Sequence, residues 1–222
     1  GAEMPDPDIT LQCETVESLE KDTEWWDLYE KTFPATERAT QALAMDTVRH
    51  HLTRALCARE DGKTVGLATV QLLEGFPAVY LMLLAVSPHE RHKHIGTMLF
   101  EYAWQYGVEE MKKMGLKPKG FVWEVEKPER ASNEKERQER QDRIDFYRHK
   151  GAEILPCTYL MPPIDGTHAL PLHLMHRPAA GVSFTKKDCD NLIKCLYTEN
   201  YAAANHVPEA MLNSLLTEMN IR

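Results

Sequence analysis

The stretch Leu83-Leu84-Ala85-Val86-Ser87-Pro88-His89-Glu90-Arg91-His92-Lys93-His94-Ile95-Gly96-Thr97 decides the fold. It closes a nearly continuous apolar run from Ala78 to Val86, which has the length and composition of a strand buried on both faces. Ser87-Pro88 stops that run. From Ile95 onward apolar residues recur as Ile95, Met98, Leu99, Tyr102, Ala103 and Tyr106, the spacing of one helical face. A strand therefore passes through a short basic bend into a helix, and unused backbone N–H groups at the helix start face one point, where an anion is favoured. Arg91, His92 and Lys93 bring basic groups to the bend, Gly96 lets the backbone approach a ligand closely, and Thr97 offers a hydroxyl to a phosphate oxygen. Neither GxxxxGK[ST] nor GxGxxG is present, so this is not a nucleotide-binding loop of either of those kinds.

Working outward, Ile9 to Val16 reads as a strand and Thr23 to Phe33, ended by Pro34, as a helix. A second helical pattern runs from Thr36 to about Arg54. Ala55 to Arg59 and Thr64 to Leu73 flank Asp61-Gly62, a pair suited to a primed turn, and predict a hairpin. Beyond the central helix, which Gly115 closes, Phe121 to Val125 reads as a strand. Asn133 and Glu136 then form a capping box for a helix ending near Gly151, and strands are expected at Ala152 to Met161 and Leu170 to Met175. From Gly181 the pattern is helical: Cys189, Leu192, Ile193, Leu196 and Tyr197 make one stripe after Thr185 and Asp188. Pro208 opens a second helix carrying Met211, Leu212, Leu215, Leu216 and Met219. These two helices need a surface, either their own domain or a partner subunit, and a homodimer through them is one expectation.

The 222 residues carry 34 acidic against 26 basic side chains, a formal charge of −8, and no basic footprint for nucleic acid. That balance favours a small cationic partner through electrostatic steering. No apolar run approaches the roughly 18 residues needed to span a bilayer, so no membrane partner is expected. Gly1 to Met4 reads as a cloning scar before a start at Met4, and residues 1–8 as a flexible beginning. Five cysteines, widely spaced and without a CxxC pair, read as reduced, buried thiols, and with them a cytoplasmic location is expected. His89, His92 and His94 on a bend, and His173 with His176 on a strand, lack the helical spacing that builds a metal site, so no metal is expected.

Val86-x-Pro88-x-x-Arg91-x-x-His94-Ile95-Gly96-Thr97 resembles the acetyl-CoA signature of the GNAT superfamily of N-acetyltransferases, R/Q-x-x-G-x-G/A after a strand ending in Val-x-Pro. Phe146-Tyr147-x-x-x-Gly151-Ala152 resembles the second signature of that family. The element order over residues 9–178 is similar to the family's fold as well. One residue departs from the pattern: His94 stands where the signature has its first glycine, and a positive φ there would be harder for His than for Gly.

The resemblance implies an α+β fold in α/β/α layers, with a mixed, mainly antiparallel central sheet flanked by helices over 9–178. Residues 179–222 then form a two-helix C-terminal extension. It implies acetyl-CoA as cosubstrate, with the pantetheine arm between the strands at Val79–Val86 and Phe121–Val125. Backbone groups of Leu84, Ala85 and Val86 would bond that arm, and Arg91, His92, Lys93, His94, Ile95, Gly96 and Thr97 would hold the diphosphate. Tyr147 would lie near the sulfur as general acid for the leaving thiolate.

A primary amine with a pKa near 10 is neutral in about one molecule per thousand at pH 7, roughly 4 kcal/mol of barrier unless a base removes the proton. Glu124 and Glu126 lie two apart on one predicted strand face, and either can take that proton; Glu74 is a third candidate. The function expected is acetyl transfer to a primary amine of a small cationic molecule, by direct attack in a ternary complex. A non-catalytic acetyl-CoA-binding sensor or scaffold, a protein- or peptide-amine acceptor, and a longer acyl chain are the alternatives.

Overall fold

The computed structural model describes residues 8–164 and 168–222, with the backbone alone at 91–93; of the flexible start expected over residues 1–8, residues 1–7 lie outside them. The strands are β1 (Ile9–Cys13), β2 (Arg54–Glu60), β3 (Lys63–Leu73), β4 (Ala78–Val86), β5 (Gly120–Glu126), β6 (Glu153–Ile154), β7 (Tyr159–Met161) and β8 (Leu170–Pro178). Their order is β1-β2-β3-β4-β5-β8-β6, with β7 also on β8. The β4–β5 pair is parallel, whereas β1–β2, β2–β3, β5–β8, β6–β8 and β7–β8 are antiparallel. With helices flanking this sheet, the fold is the expected mixed, mostly antiparallel α+β class. No helix among the described residues is long and apolar enough to cross a membrane. The chain divides into two compact units, residues 1–71 with 81–110, and residues 72–80 with 111–222.

In the first unit Asp61 and Gly62 take φ of 50° and 81°, the two positive values a primed hairpin turn needs, and they join β2 to β3 in the register Glu60–Lys63. Three helices separate β1 from β2: α1 (Val16–Lys21), α2 (Thr23–Thr32) and α3 (Gln41–Arg49). The sequence reading carried β1 on to Val16. It stops at Cys13 because Thr15 and Ser18 exchange side-chain and backbone hydrogen bonds at 2.9 and 3.0 Å and open a helix instead. The pattern from Thr36 to Arg54 shortens to α3 because Thr40 caps Leu43 N–H at the start, and His51 turns to φ 59° after the end. Trp25, Trp26 and Tyr29 on α2 pack with Met45, Ala55, Cys57, Leu67 and Ala85 into one core. Their polar tips are satisfied, Trp25 Nε1 donating to Leu56 O at 3.1 Å and Trp26 Nε1 to Leu19 O at 2.8 Å. The final helix of this unit, α4 (Ile95–Lys113), comes so close to β3 that a Cβ on Gly66 would lie 2.6 Å from Leu99 Cδ1.

In the second unit β5 pairs with β8 from Gly120–Pro178 to Glu126–Leu172, and β4 meets β5 at Val79–Phe121 and Tyr80–Val122. Asn133 accepts from Glu136 N–H at 2.8 Å and starts α5 (Glu134–His149), and Gly151 at φ 88° turns the chain out of it. The single strand expected over Ala152 to Met161 is broken at Pro156 into β6 and β7, each paired with β8. The C-terminal helices are α6 (Lys186–Cys195), its direct continuation as a π-helix over Leu196–Ala202, and α7 (Glu209–Glu218). Of their expected apolar stripe, Cys189, Leu192, Ile193, Leu196, Tyr197, Leu212 and Leu215 are buried, whereas Met211, Leu216 and Met219 are half-buried.

The reading of five reduced thiols is corrected: Cys157 and Cys189 form a disulfide, and Cys13, Cys57 and Cys195 are free. Two cysteines 32 residues apart carry no local sign of pairing, and the fold brings their Cα atoms to 5.6 Å. Thiol usage therefore no longer argues for a reducing compartment.

Gly120 opens β5 beneath His176, which is 3% exposed, and whose Nε2 has no hydrogen-bond partner among the described residues. Burial holds that imidazole below its ordinary pKa and so keeps it neutral. A Cβ on Gly120 would meet His176 Nε2 at 2.1 Å and Arg177 O at 2.8 Å. Gly120→Ala is expected to cost about 1–3 kcal/mol by overpacking, read from the urea denaturation midpoint. An unchanged midpoint would mean that the imidazole moves aside freely.

Candidate active site

In the first unit β4 ends at Val86, and Ser87 N–H returns to Val65 O at 2.8 Å. Pro88–Lys93 forms a 3₁₀ turn, and His94 then takes φ 60°, ψ 21° before α4 begins. The position that the family signature gives to glycine is thus left-handed here. Helical hydrogen bonding starts with Met98 N–H on His94 O at 3.1 Å, so the amides of Ile95, Gly96 and Thr97 precede the ladder. No acidic residue lies in the first turn of α4, which leaves the positive end of the helix dipole uncompensated from within.

Amides placed in this way are donors of the kind an anion requires. The Ile95 side chain is fully buried in the core, and His94 is exposed. Ala85 also belongs to the core, while Leu84 and Val86, alternating with it on β4, are partly exposed. The roles expected for the side chains of Arg91, His92 and Lys93 fall outside the described residues. A left-handed His is tolerated better than a branched residue. His94→Gly is accordingly expected to be neutral or to stabilise by up to about 1 kcal/mol, and His94→Val to destabilise by about 1–2 kcal/mol, in thermal denaturation. Equal stability of the Gly and Val variants would remove the backbone argument.

In the second unit the chemistry gathers on β5. Glu124, opposite Leu174 of β8, carries its carboxyl into a cluster of phenols. Tyr80 of β4 donates to Oε1, while Tyr159 of β7 and Tyr201 of the π-helix each donate to Oε2 at 2.5 Å. Burial raises the proton affinity of this carboxyl, the three hydroxyls oppose that rise, and the net shift is upward. Burial together with the facing carboxylate pushes the three phenols well above the ordinary tyrosine range, so they act as hydrogen-bond donors and not as acids.

Glu126 shares the strand face with Glu124 and meets different partners. Arg140 of α5 lies 2.7 Å from its Oε2 and Arg143 3.8 Å from its Oε1. Arg140 also holds Glu136 at 2.5 Å and Lys127 O at 2.9 Å, which pins the end of β5 to α5. Glu74 is exposed, and what the structure uses of it is its backbone N–H. That N–H and the N–H of Gly75 donate to the two carboxylate oxygens of Glu199 at 2.8 and 2.9 Å, and Cys195 Sγ donates to the same group at 2.6 Å. Tyr147 is 7% exposed, with its ring 4.7 Å from Trp123 and 5.2 Å from Phe146. Burial pushes its phenol up to about 12.

Tyr80, Tyr159, Tyr201 and Glu199 were not among the expected site residues. One signal pointed their way: Tyr197 belongs to the apolar stripe with Tyr201 four residues on, and a buried phenol requires a hydrogen-bond partner.

Residues 21–150 match the family model described as the acetyltransferase (GNAT) family. Among solved structures, a protein from Bacteroides thetaiotaomicron assigned to the GNAT family is similar at a TM-score of 0.68 and 21% identity, over 90% of this chain and 99% of that one. A phosphinothricin acetyltransferase from Sinorhizobium meliloti in complex with AcCoA has a TM-score of 0.52 at 18% identity, over 80% and 92% of the two chains. Naa50 of Arabidopsis thaliana, in complex with the bisubstrate analogue CoA-Ac-MVNAL, has a TM-score of 0.51 at 20% identity, over 77% and 99%. No curated protein matches the sequence significantly.

Proposed function

The chain belongs to the GNAT family of acetyltransferases, and from that premise we propose that it transfers the acetyl group of acetyl-CoA to a primary amine of a small cationic molecule. Acetyl-CoA supplies the activated acyl carbon and a thiolate leaving group. The bend at His94–Thr97 receives the diphosphate on its first-turn amides, with Leu84, Ala85 and Val86 offering β4 backbone groups to the pantetheine arm. The net charge of −8 steers a cationic acceptor inward.

One observation carries the reading: Glu124 is a carboxyl of raised proton affinity, enclosed by neutral donors, on the strand that the resemblance places beside the cofactor. The acceptor must lose a proton to attack, and Glu124 takes it, directly or through one water. Glu126 has a different part, since both of its oxygens face arginines of α5 and tie β5 to that helix. Incubating the chain with acetyl-CoA and a panel of polyamines, aminoglycosides, amino acids and peptide amines, and following free thiol release, tests the reaction class. With the best acceptor, Glu124→Gln is expected to lower kcat about 10²–10⁴-fold and to abolish the acid limb of the pH profile. Failure of every amine in the panel to release thiol, while CoA binds normally, would instead favour an acetyl-CoA-binding module.

Tyr147 has the smaller part. A phenol held at about 12 gives its proton to a thiolate of pKa about 8.5 only uphill, so it supports the departing sulfur by a hydrogen bond. Tyr147→Phe is expected to lower kcat about 10–100-fold, the value of one hydrogen bond to a charged group, with little change in KM for acetyl-CoA. Turnover within twofold of the parent would take Tyr147 out of the reaction.

A further inference from the structure

We propose that Tyr159 and Tyr201 are positioning residues that fill both acceptor sites of Glu124 Oε2 and leave Oε1 as the atom that receives the substrate's proton. The inference rests on the reading of Glu124 as the base. A carboxylate offers about four acceptor sites, two on each oxygen. Among the described residues Oε2 takes the hydroxyls of Tyr159 and Tyr201, and Oε1 takes Tyr80 alone. Among the described residues one acceptor site is left without a partner, and it lies on Oε1.

The two residues that close Oε2 come from distant segments that the chain ties together. Tyr159 follows Cys157 by two positions, Tyr201 lies in the π-helix that continues α6, and Cys157 is bonded to Cys189 of α6. Tyr197 OH donates to Leu160 O, a second tie between the same π-helix and β7. Glu199, between these two tyrosines, anchors the π-helix to the β3–β4 turn through Glu74 N–H and Gly75 N–H.

The titratable groups facing Glu124 are Tyr80 from β4, Tyr159 from β7, and Tyr197 and Tyr201 from the π-helix. Burial keeps all four phenols neutral, so none competes for the proton. A donor to the carboxylate favours its ionised form, and losing that donor must move its titration upward.

The test uses the full chain labelled with side-chain 13C glutamate, with the Glu124 carboxyl resonance assigned by its loss in Glu124→Gln. Tyr201→Phe and Tyr159→Phe keep the ring and its packing, and two variants guard against a folding failure of one. In each, the Glu124 resonance and the acid limb of kcat/KM are expected to move up together by about one pH unit, the worth of one hydrogen bond to a charged group. If neither moves in a folded variant while Glu124→Gln has lost the limb, the proposal is overturned and the base stands. If the resonance moves but the limb does not, and Glu124→Gln keeps that limb, the base reading fails and the proposal with it.

Discussion

A carboxylate withdrawn from water must be met by donors, and in the second unit Glu124 is met by three hydroxyls. A hydrogen bond to a charged group contributes about 1.5–3 kcal/mol, so the absence of any one leaves a buried charge undercompensated. The donors arrive on three separate elements: β4, β7 and the π-helix. Tyr159 and Tyr201 lie beyond residues 21–150, the span that matches the family model. The π-helix is thus joined to β5 by a specific polar requirement.

That requirement accounts for how the tail is built. Thr185 and Asp188 close a capping box that fixes where α6 begins, at Thr185 N–H on Asp188 Oδ2 of 2.7 Å. The disulfide fixes α6 to the segment before β7. The helix then winds into its π stretch, a form found mostly where a helix serves a local purpose. Here three residues of the stretch meet three different partners: Tyr197 reaches Leu160 O, Glu199 the β3–β4 turn, and Tyr201 the Glu124 carboxylate. Burial and the Glu199 contact hold the Cys195 thiol up to about 12, so it stays protonated and serves as a donor.

What could be read from the residues was what neighbours in sequence decide. The Asp61-Gly62 turn, the Asn133 cap, the bounds of β4 and the start of α6 each depend on a few adjacent positions, and each lies where the pattern put it. Errors came where two local signals competed. Thr15 and Ser18 open a six-residue helix in what alternation read as the end of a strand, and Pro156 splits a run whose apolar residues suggested continuity. The phenol cluster was out of reach for a different reason. Its hydrogen bonds span 35, 44 and 77 residues, and the disulfide 32, distances over which no periodicity or spacing speaks. Glu124 itself was visible because strand alternation places it, whereas its partners are set by the tertiary fold alone.

Glu124 and Glu126 show how one strand face can carry two carboxylates in opposite surroundings. A carboxylate beside a cationic amine holds the cation and raises its pKa, which works against removing the proton. Arginines around Glu126 answer its charge with charge, which suits a group that fastens β5 to α5. Phenols around Glu124 answer with dipoles, so part of its charge is spread over neutral hydroxyls while burial keeps its proton affinity raised. Such a group grips a cation less firmly and accepts its proton more readily, the balance an acyl acceptor's base requires. The partner type, a neutral hydroxyl in one case and a guanidinium in the other, separates two glutamates that sequence spacing made equivalent, and it is on this difference that the proposed base rests.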